Sequence, residues 1–289
     1  MASIHRVQRV FDRYGLVPCY VVDYPVVSKK EGVGPLQEIH ADGRCEIGAQ
    51  LHPWVNPPLV EELTRRNSYP GNLSPELERG KLRILRERID EEFGVAPIVY
   101  KAGRYGFGSN TERILGEMGF RVDLSFCPPF DSTADGGPDY SREGADPFWF
   151  QGSAGASILE IPVTGAFVGW GGPLMRPLFG WADRLRQFRL PGALARARIV
   201  DRLMLSPEGY TFEEHVRLTR HLLARGTRVF TWSFHSPSVE PGHTPYVRSK
   251  VQLHAFLDQF ERFFDFFFGE VQGQPTSPSA LLARLDSSR

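Results

Sequence analysis

Apolar runs of period two alternate along this chain with runs of helical period, and no other feature of the sequence narrows the fold so far. Strand-like stretches fall at VPCYVVD (17–23), CEIGAQLH (45–52), PIVYKAG (97–103), FRVDLSF (120–126), SILEIPVT (157–164) and RVFTWSF (228–234). Helical patterns cover about residues 3–14, 75–93, 111–118, 211–226 and 248–268. Strand, helix and strand in succession predict βα units and a mostly parallel sheet. Such a sheet brings its carboxyl-terminal strand ends to one side, where connecting loops build a pocket. The helices carry their own boundary signals. Ser74-Pro75-Glu76 places proline at the first helical position, Thr211 with Glu214 forms a capping box, and Gly226 closes a helix just after Arg225. In the last helix Leu253, Phe256, Leu257, Phe260, Phe263, Phe264 and Phe267 repeat at helical spacing, which predicts core packing and not a cofactor site.

With 41% hydrophobic and 24% charged residues, the 289-residue chain has enough apolar surface for one enzyme-sized core. Formal net charge is zero, so no global field draws in nucleic acid or an anionic membrane, and a small or uncharged partner is expected. Cys19, Cys45 and Cys127 lack CxxC spacing and read as reduced core thiols. The first residues, MASIHRVQRVFDRYG, have no uninterrupted apolar stretch, and FLDQFERFFDFFFG is broken by Asp258, Glu261, Arg262 and Asp265. Neither reads as a leader or a membrane span, and a cytoplasmic location is expected. Two segments stand apart: a Gly/Pro/Asp-rich loop at 128–146 and an Arg-rich stretch at 176–202, read as a solvated basic face or as a lid or acceptor-binding insertion. The polar, proline-bearing tail, 269–289, is expected to be poorly ordered, leaving residues 1–268 as the folded unit.

Three places carry candidate chemistry. Strand alternation in CEIGAQLH sends Gln50 and His52 to one face at the strand's carboxyl end, and Pro53 and Trp54 follow as a stiff exit with an aromatic wall. YKAGRYGFG (100–108) combines glycines, which let backbone approach a ligand, with Lys101 and Arg104, either of which can hold a carboxylate or developing oxyanion charge. The run at 228–234 delivers His235, the side-chain type best suited to move a proton near neutral pH. His243 reads as a surface residue. HExxH, a CxxC pair, a P-loop, GxGxxG and the GxSxG elbow are all absent from the sequence.

The order EIGAQLHPW, YKAGRYGFG, FRVDLSFCPP, LEIPVT, FTWSFHSPS resembles the successive motifs of polysaccharide deacetylases, the NodB-like superfamily that includes carbohydrate esterase family four, and in particular their WalW-type bacterial branch. The resemblance covers about residues 1–268. It implies a distorted (β/α)7 barrel and metal-assisted hydrolysis of an N-acetyl group, or another carbon–nitrogen bond, on a sugar or polysaccharide. A divalent metal, zinc foremost, would activate water that an aspartate deprotonates, while His235 matches the late histidine that protonates the departing amine. Lys101 stands where the family has arginine, and Lys101 or Arg104 would orient the residual carboxylate. The chain also departs from the pattern. The family's aspartate-rich first motif has no counterpart, so its strand is expected upstream of Met1. The usual His-x-x-x-His pair is replaced by Gln50 and Trp54 around His52, leaving His52, with Gln50, as the candidate metal ligands. Trp54, Tyr105, Trp170 and Tyr246 are candidates for stacking on sugar faces. Two other readings stay open: a glycan-binding barrel without activity, and a metal-free amide hydrolase of the same superfamily.

Overall fold

The run expected at 45–52 forms β2 (Glu46–Leu51) and pairs in parallel on both sides. Its partners are β1 (Cys19–Val22), with Tyr20 opposite Ile47, and β3 (Val99–Ala102), with Gln50 opposite Lys101. Gly48 permits this close pairing, because a Cβ there would sit 2.9 Å from Val21 Cγ1 and 3.0 Å from the Val99 carbonyl oxygen. β3 continues to β4 (Val122–Asp123) and β4 to β6 (Ile158–Glu160), both in parallel, while β5 (Phe148–Phe150) lies antiparallel on β6. The sheet order is therefore β1-β2-β3-β4-β6-β5. A separate antiparallel ribbon joins β7 (Gly165–Val168) to β8 (Asp201–Met204). This computed structural model describes residues 1–150, 157–169 and 200–287. Among them the architecture is mixed α/β with a mostly parallel sheet, as the alternating periods predict. These pairings form an open sheet and a ribbon, and β1 has one strand partner among the described residues.

The helices follow their sequence signals. α1 (Ile4–Arg13) buries Ile4, Val7, Val10 and Phe11 on one face. After β1 come α2 (Tyr24–Val27) and α3 (Lys30–Ala41). α4 (Pro75–Phe93) opens with Ser74 Oγ accepting from the Leu77 amide and ends on Gly94 at φ 69°, a left-handed cap that glycine adopts without strain. α5 (Thr111–Glu117) is short, and α6 (Phe212–Leu223) shows both halves of the Thr211–Glu214 capping box. α7 (Lys250–Phe264) buries Leu253, Phe256, Phe260, Phe263 and Phe264, so the aromatic stripe is core. At about 1.5–3 kcal/mol per buried large apolar side chain, that stripe is a principal source of stability. All three cysteines are free thiols, Cys45 and Cys127 buried and Cys19 half-buried.

Two expectations are corrected. Residues 228–234 do not form a ladder strand. Phe230, Trp232 and Phe234 turn into the core, with Trp232 stacked on Phe263 at 4.4 Å, but the backbone amides find scattered partners: the Thr231 amide donates to Thr164 Oγ1 and the Ser233 amide to the Leu205 carbonyl. Alternation here reflects side-chain burial without strand pairing. The tail is also more ordered than its composition suggests. α8 (Pro278–Asp286) starts on a Ser277 cap, buries Leu281 and Leu282 against Val99, Val122 and Leu159, and ties down through Arg121–Asp286 at 2.8 Å. Ser277 and Ser279 hydroxyls donate to Glu46. Trp170 and residues 176–199 of the Arg-rich stretch lie outside the described residues. No helix among the described residues is long and apolar enough to cross a membrane.

Candidate functional site

Parallel pairing aligns the carboxyl ends of β1, β2, β3, β4 and β6, and Asp23, His52, Lys101, Arg104, Asp123 and Glu160 stand on or just beyond those ends. Asp23 follows β1 and caps α2, its Oδ1 accepting from the Val26 amide at 3.3 Å. Its other oxygen lies 3.2 Å from Nδ1 of His52, one residue beyond β2. A carboxylate on Nδ1 selects the tautomer that leaves Nε2 with its lone pair free. Trp54 packs on the imidazole, ring centroids 4.8 Å apart. Gly103 supports it from below: a Cβ there would lie 2.3 Å from His52 Cδ2 and 2.5 Å from the Leu51 carbonyl oxygen.

The second histidine is held more tightly. His235 donates its backbone amide to Glu208 Oε1 at 3.1 Å, and its Nδ1 lies 2.7 Å from Glu208 Oε2. The Ser238 hydroxyl adds a further hydrogen bond to the same carboxylate. Glu208 is 5% exposed at its side chain while the imidazole is 68% exposed, so the carboxylate is fixed inside and the ring faces solvent. The Glu208 hydrogen bond raises the His235 pKa above the usual histidine value, against opposing contributions from burial and from the Lys101 charge. Tyr246 comes close to the loop that carries Glu208: a Cβ on Gly209 would lie 3.6 Å from Tyr246 Cε1.

Farther along the sheet lies a buried pair of carboxyl groups. Asp123 and Glu160 are opposite each other on β4 and β6, both fully buried. Asp123 Oδ1 accepts from Ser125, and Glu160 Oε1 accepts from the Phe126 amide at 3.0 Å. Burial raises both carboxyl pKa values, with the Asp123 charge adding to the rise at Glu160. Lys101 stands beside the pair, donating from Nζ to the Leu124 carbonyl at 2.6 Å and resting 4.6 Å from the Tyr105 ring centroid. Burial lowers its pKa, and Cys127, Glu160 and Asp123 counter that.

Arg104 and Tyr105 occupy an unusual turn. Both have positive φ, 54° and 60°, a conformation that costs non-glycine residues about 1–3 kcal/mol and persists where neighbours over-determine it. The neighbours are identifiable. Arg104 stacks at 4.3 Å over Tyr69 and donates to Ser68 Oγ and Asp135, while the Tyr105 carbonyl accepts from Tyr140 Oη at 2.7 Å. Arg104 lines two grooves, one of about 360 Å³ with Trp54 and Leu63, the other of about 270 Å³ with Tyr105, Phe130 and Tyr140.

His52 and Gly103 touch, Lys101 and Tyr105 touch, and the Lys101 charge is felt at His235. Gln50 pairs with Lys101 in the sheet. Sequence reading missed Glu208, whose Ser-Pro-Glu-Gly loop has no distinguishing pattern, and the Asp123–Glu160 pair, whose members are far apart in the chain. Among the described residues no group of three or more His, Cys, Asp or Glu side chains is placed to hold a metal ion.

No family model matches the chain, and no curated protein does. Among solved structures, it is partly similar to a protein from Mycobacterium smegmatis provisionally described as a polysaccharide deacetylase, at 21% identity and a TM-score of 0.40, covering 56% of this chain and 46% of that one. It is similar to the same degree to Puue allantoinase, at 19% identity and a TM-score of 0.38, covering 56% of this chain and 43% of that one. The chain thus spans less than half the length of either.

Proposed function

We propose that this chain is a hydrolase of carbon–nitrogen bonds acting on N-acylated sugar derivatives, in a site framed by His52 and His235. The observation that carries this is the Glu208–His235 pair, an exposed imidazole held by a buried carboxylate at the end of the chain's last strand-like run. A raised pKa keeps more of the imidazole protonated near neutral pH, the state required of a general acid. His52, with Nδ1 on Asp23, is the base. Its Nε2 takes a proton from water, the hydroxide oxygen bonds to the acyl carbon, and the carbonyl electrons move to oxygen. The oxyanion collapses, the carbon–nitrogen bond breaks, and His235 gives its proton to the departing nitrogen. Lys101, held by the Leu124 carbonyl, supplies positive charge near His235. In this proposal the six-stranded sheet and the β7–β8 ribbon are arcs of a distorted barrel, bridged by residues 228–234.

The metal implied by the sequence resemblance would fall to His52 and Gln50. A catalytic zinc takes three protein ligands. His52 keeps Nε2 for a metal, with Asp23 on Nδ1 as an orienting partner, but no group of three His, Cys, Asp or Glu side chains is placed to hold one among the described residues. These residues do not fit that ion, and no step is routed through one.

The test is acetate release from a panel of N-acetylated sugars by the parent and by His235→Asn. The variant is expected to lose about 10²- to 10⁴-fold in kcat with its fold intact. Equal rates, or an inactive parent across the panel, would remove the assignment.

A further inference from the structure

Lys81 is fully buried on α4, yet its ammonium is saturated. It donates to the carbonyls of Pro53 at 3.0 Å, Asn56 at 2.7 Å and Pro58 at 2.6 Å, and pairs with Glu61 at 2.9 Å. Asn56, also fully buried, donates from Nδ2 back to the Lys81 carbonyl and to that of Pro57, each at 2.8 Å. The backbone from Pro53 to Glu61 is therefore wound around one buried cation. A buried ammonium is tolerated only when its donors are satisfied, so this winding is strongly specified.

What the anchored segment shows to solvent is apolar. Leu59, Val60 and Leu63 are 64%, 74% and 77% exposed, with Trp54 beside them at 39%. Since the backbone beneath Trp54, Leu59 and Val60 is pinned, those side chains are held outward by the fold, and Leu63 follows two residues beyond it. Trp54 links the ridge to the proposed site, packing on His52 and lining the 360 Å³ groove together with Leu63 and Arg104. Charge along the groove is balanced: Glu61 is matched by Lys81, while Arg65 and Arg104 share Asp135 at 2.8 and 3.2 Å and Glu62 offsets the second arginine. Trp54 and Leu63 give this charge-balanced groove an apolar side, and Leu59 and Val60 extend the exposed apolar surface along the chain, which suits one molecule with a polar head and an uncharged hydrocarbon chain.

We infer that the Trp54–Leu63 ridge seats the aliphatic chain of an amphiphilic substrate whose sugar head enters the site at His52. This rests on the proposed hydrolase function. The experiment compares octyl and methyl β-glycosides of N-acetylglucosamine as substrates for the parent and for the Leu59→Ser/Val60→Ser/Leu63→Ser variant, with Leu63→Ser alone as a milder change. The parent is expected to favour the octyl glycoside by about tenfold to a hundredfold in kcat/KM, since each buried methylene contributes severalfold. The triple variant should lose that preference and keep its methyl-glycoside rate.

Calorimetric titration with octyl β-glucoside, which has no amide to cleave, separates the two proposals. Binding to the parent and not to the triple variant, without hydrolysis of either glycoside, supports the ridge and overturns the hydrolase assignment. Equal hydrolysis of both glycosides with no octyl glucoside binding overturns the ridge alone. Two further outcomes also overturn it: a concentration-dependent dimer in the parent that the variant lacks, and flotation with phosphatidylcholine vesicles without binding of monomeric octyl glucoside.

Discussion

The two histidine–carboxylate pairs differ in how they divide burial. At His52–Asp23 both side chains are about a quarter exposed or less, the contact is 3.2 Å, and the carboxylate also caps α2. At His235–Glu208 the contact is 2.7 Å, the carboxylate is nearly sealed and receives three hydrogen bonds, and the imidazole is out in solvent. A carboxylate with duties to a helix amide and an imidazole fixes orientation and tautomer. A carboxylate sealed beneath an exposed imidazole, with little water to relax around it, acts on the ring's proton affinity. The first arrangement suits a base that must present a lone pair, the second an acid that must hold a proton.

Substitutions can break this comparison. His52→Asn, which removes the base, should lower kcat by about 10²- to 10³-fold, while Asp23→Asn, which leaves the imidazole and removes its orienting partner, should cost about tenfold. Equal losses from both would show that Asp23 does more than orient, and no loss from His52→Asn would leave His235 without its counterpart.

A smaller effect sits away from the site. Glu78 is buried on α4, and burial pushes its carboxyl up to about 7 against the hydrogen bond from Thr111. A carboxyl whose folded pKa is raised binds its proton more tightly folded than unfolded, so its contribution to stability is present below the unfolded value and is lost as pH rises through about 7. The parent's melting temperature should fall by several degrees between pH 5 and 8, reflecting at most about 3 kcal/mol. Glu78→Gln, which still accepts from Thr111, should flatten that decline. A parallel decline in both proteins would exclude Glu78 as its source.

Much of this was legible in the sequence where one segment carries its own signal. Period-two alternation placed His52 at the end of β2, the Thr211–Glu214 box opened α6, and helical spacing of Phe256, Phe260, Phe263 and Phe264 declared the core face of α7. The same logic misled at 228–234, because Phe230, Trp232 and Phe234 alternate for burial while their amides bond to a threonine side chain and an isolated carbonyl. α8 had its Ser277-Pro278 start and its Leu281–Leu282 contact, overshadowed by the polar residues ahead of it. Glu208 and the Asp123–Glu160 pair were out of reach for a different reason. Their partners arrive from other strands and loops, so their chemistry exists only after the chain folds.

The central claim is that Glu208 tunes His235 as the acid, and the pH dependence of kcat/KM in the parent and in Glu208→Gln tests it most directly. If a protonated His235 is required, activity falls as pH rises through its pKa. Removing the negative charge that raises that pKa should move this alkaline limb to lower pH in the variant, while the rate on the acid side of the limb stays within about tenfold of the parent. A limb at the same pH in both proteins would contradict the account.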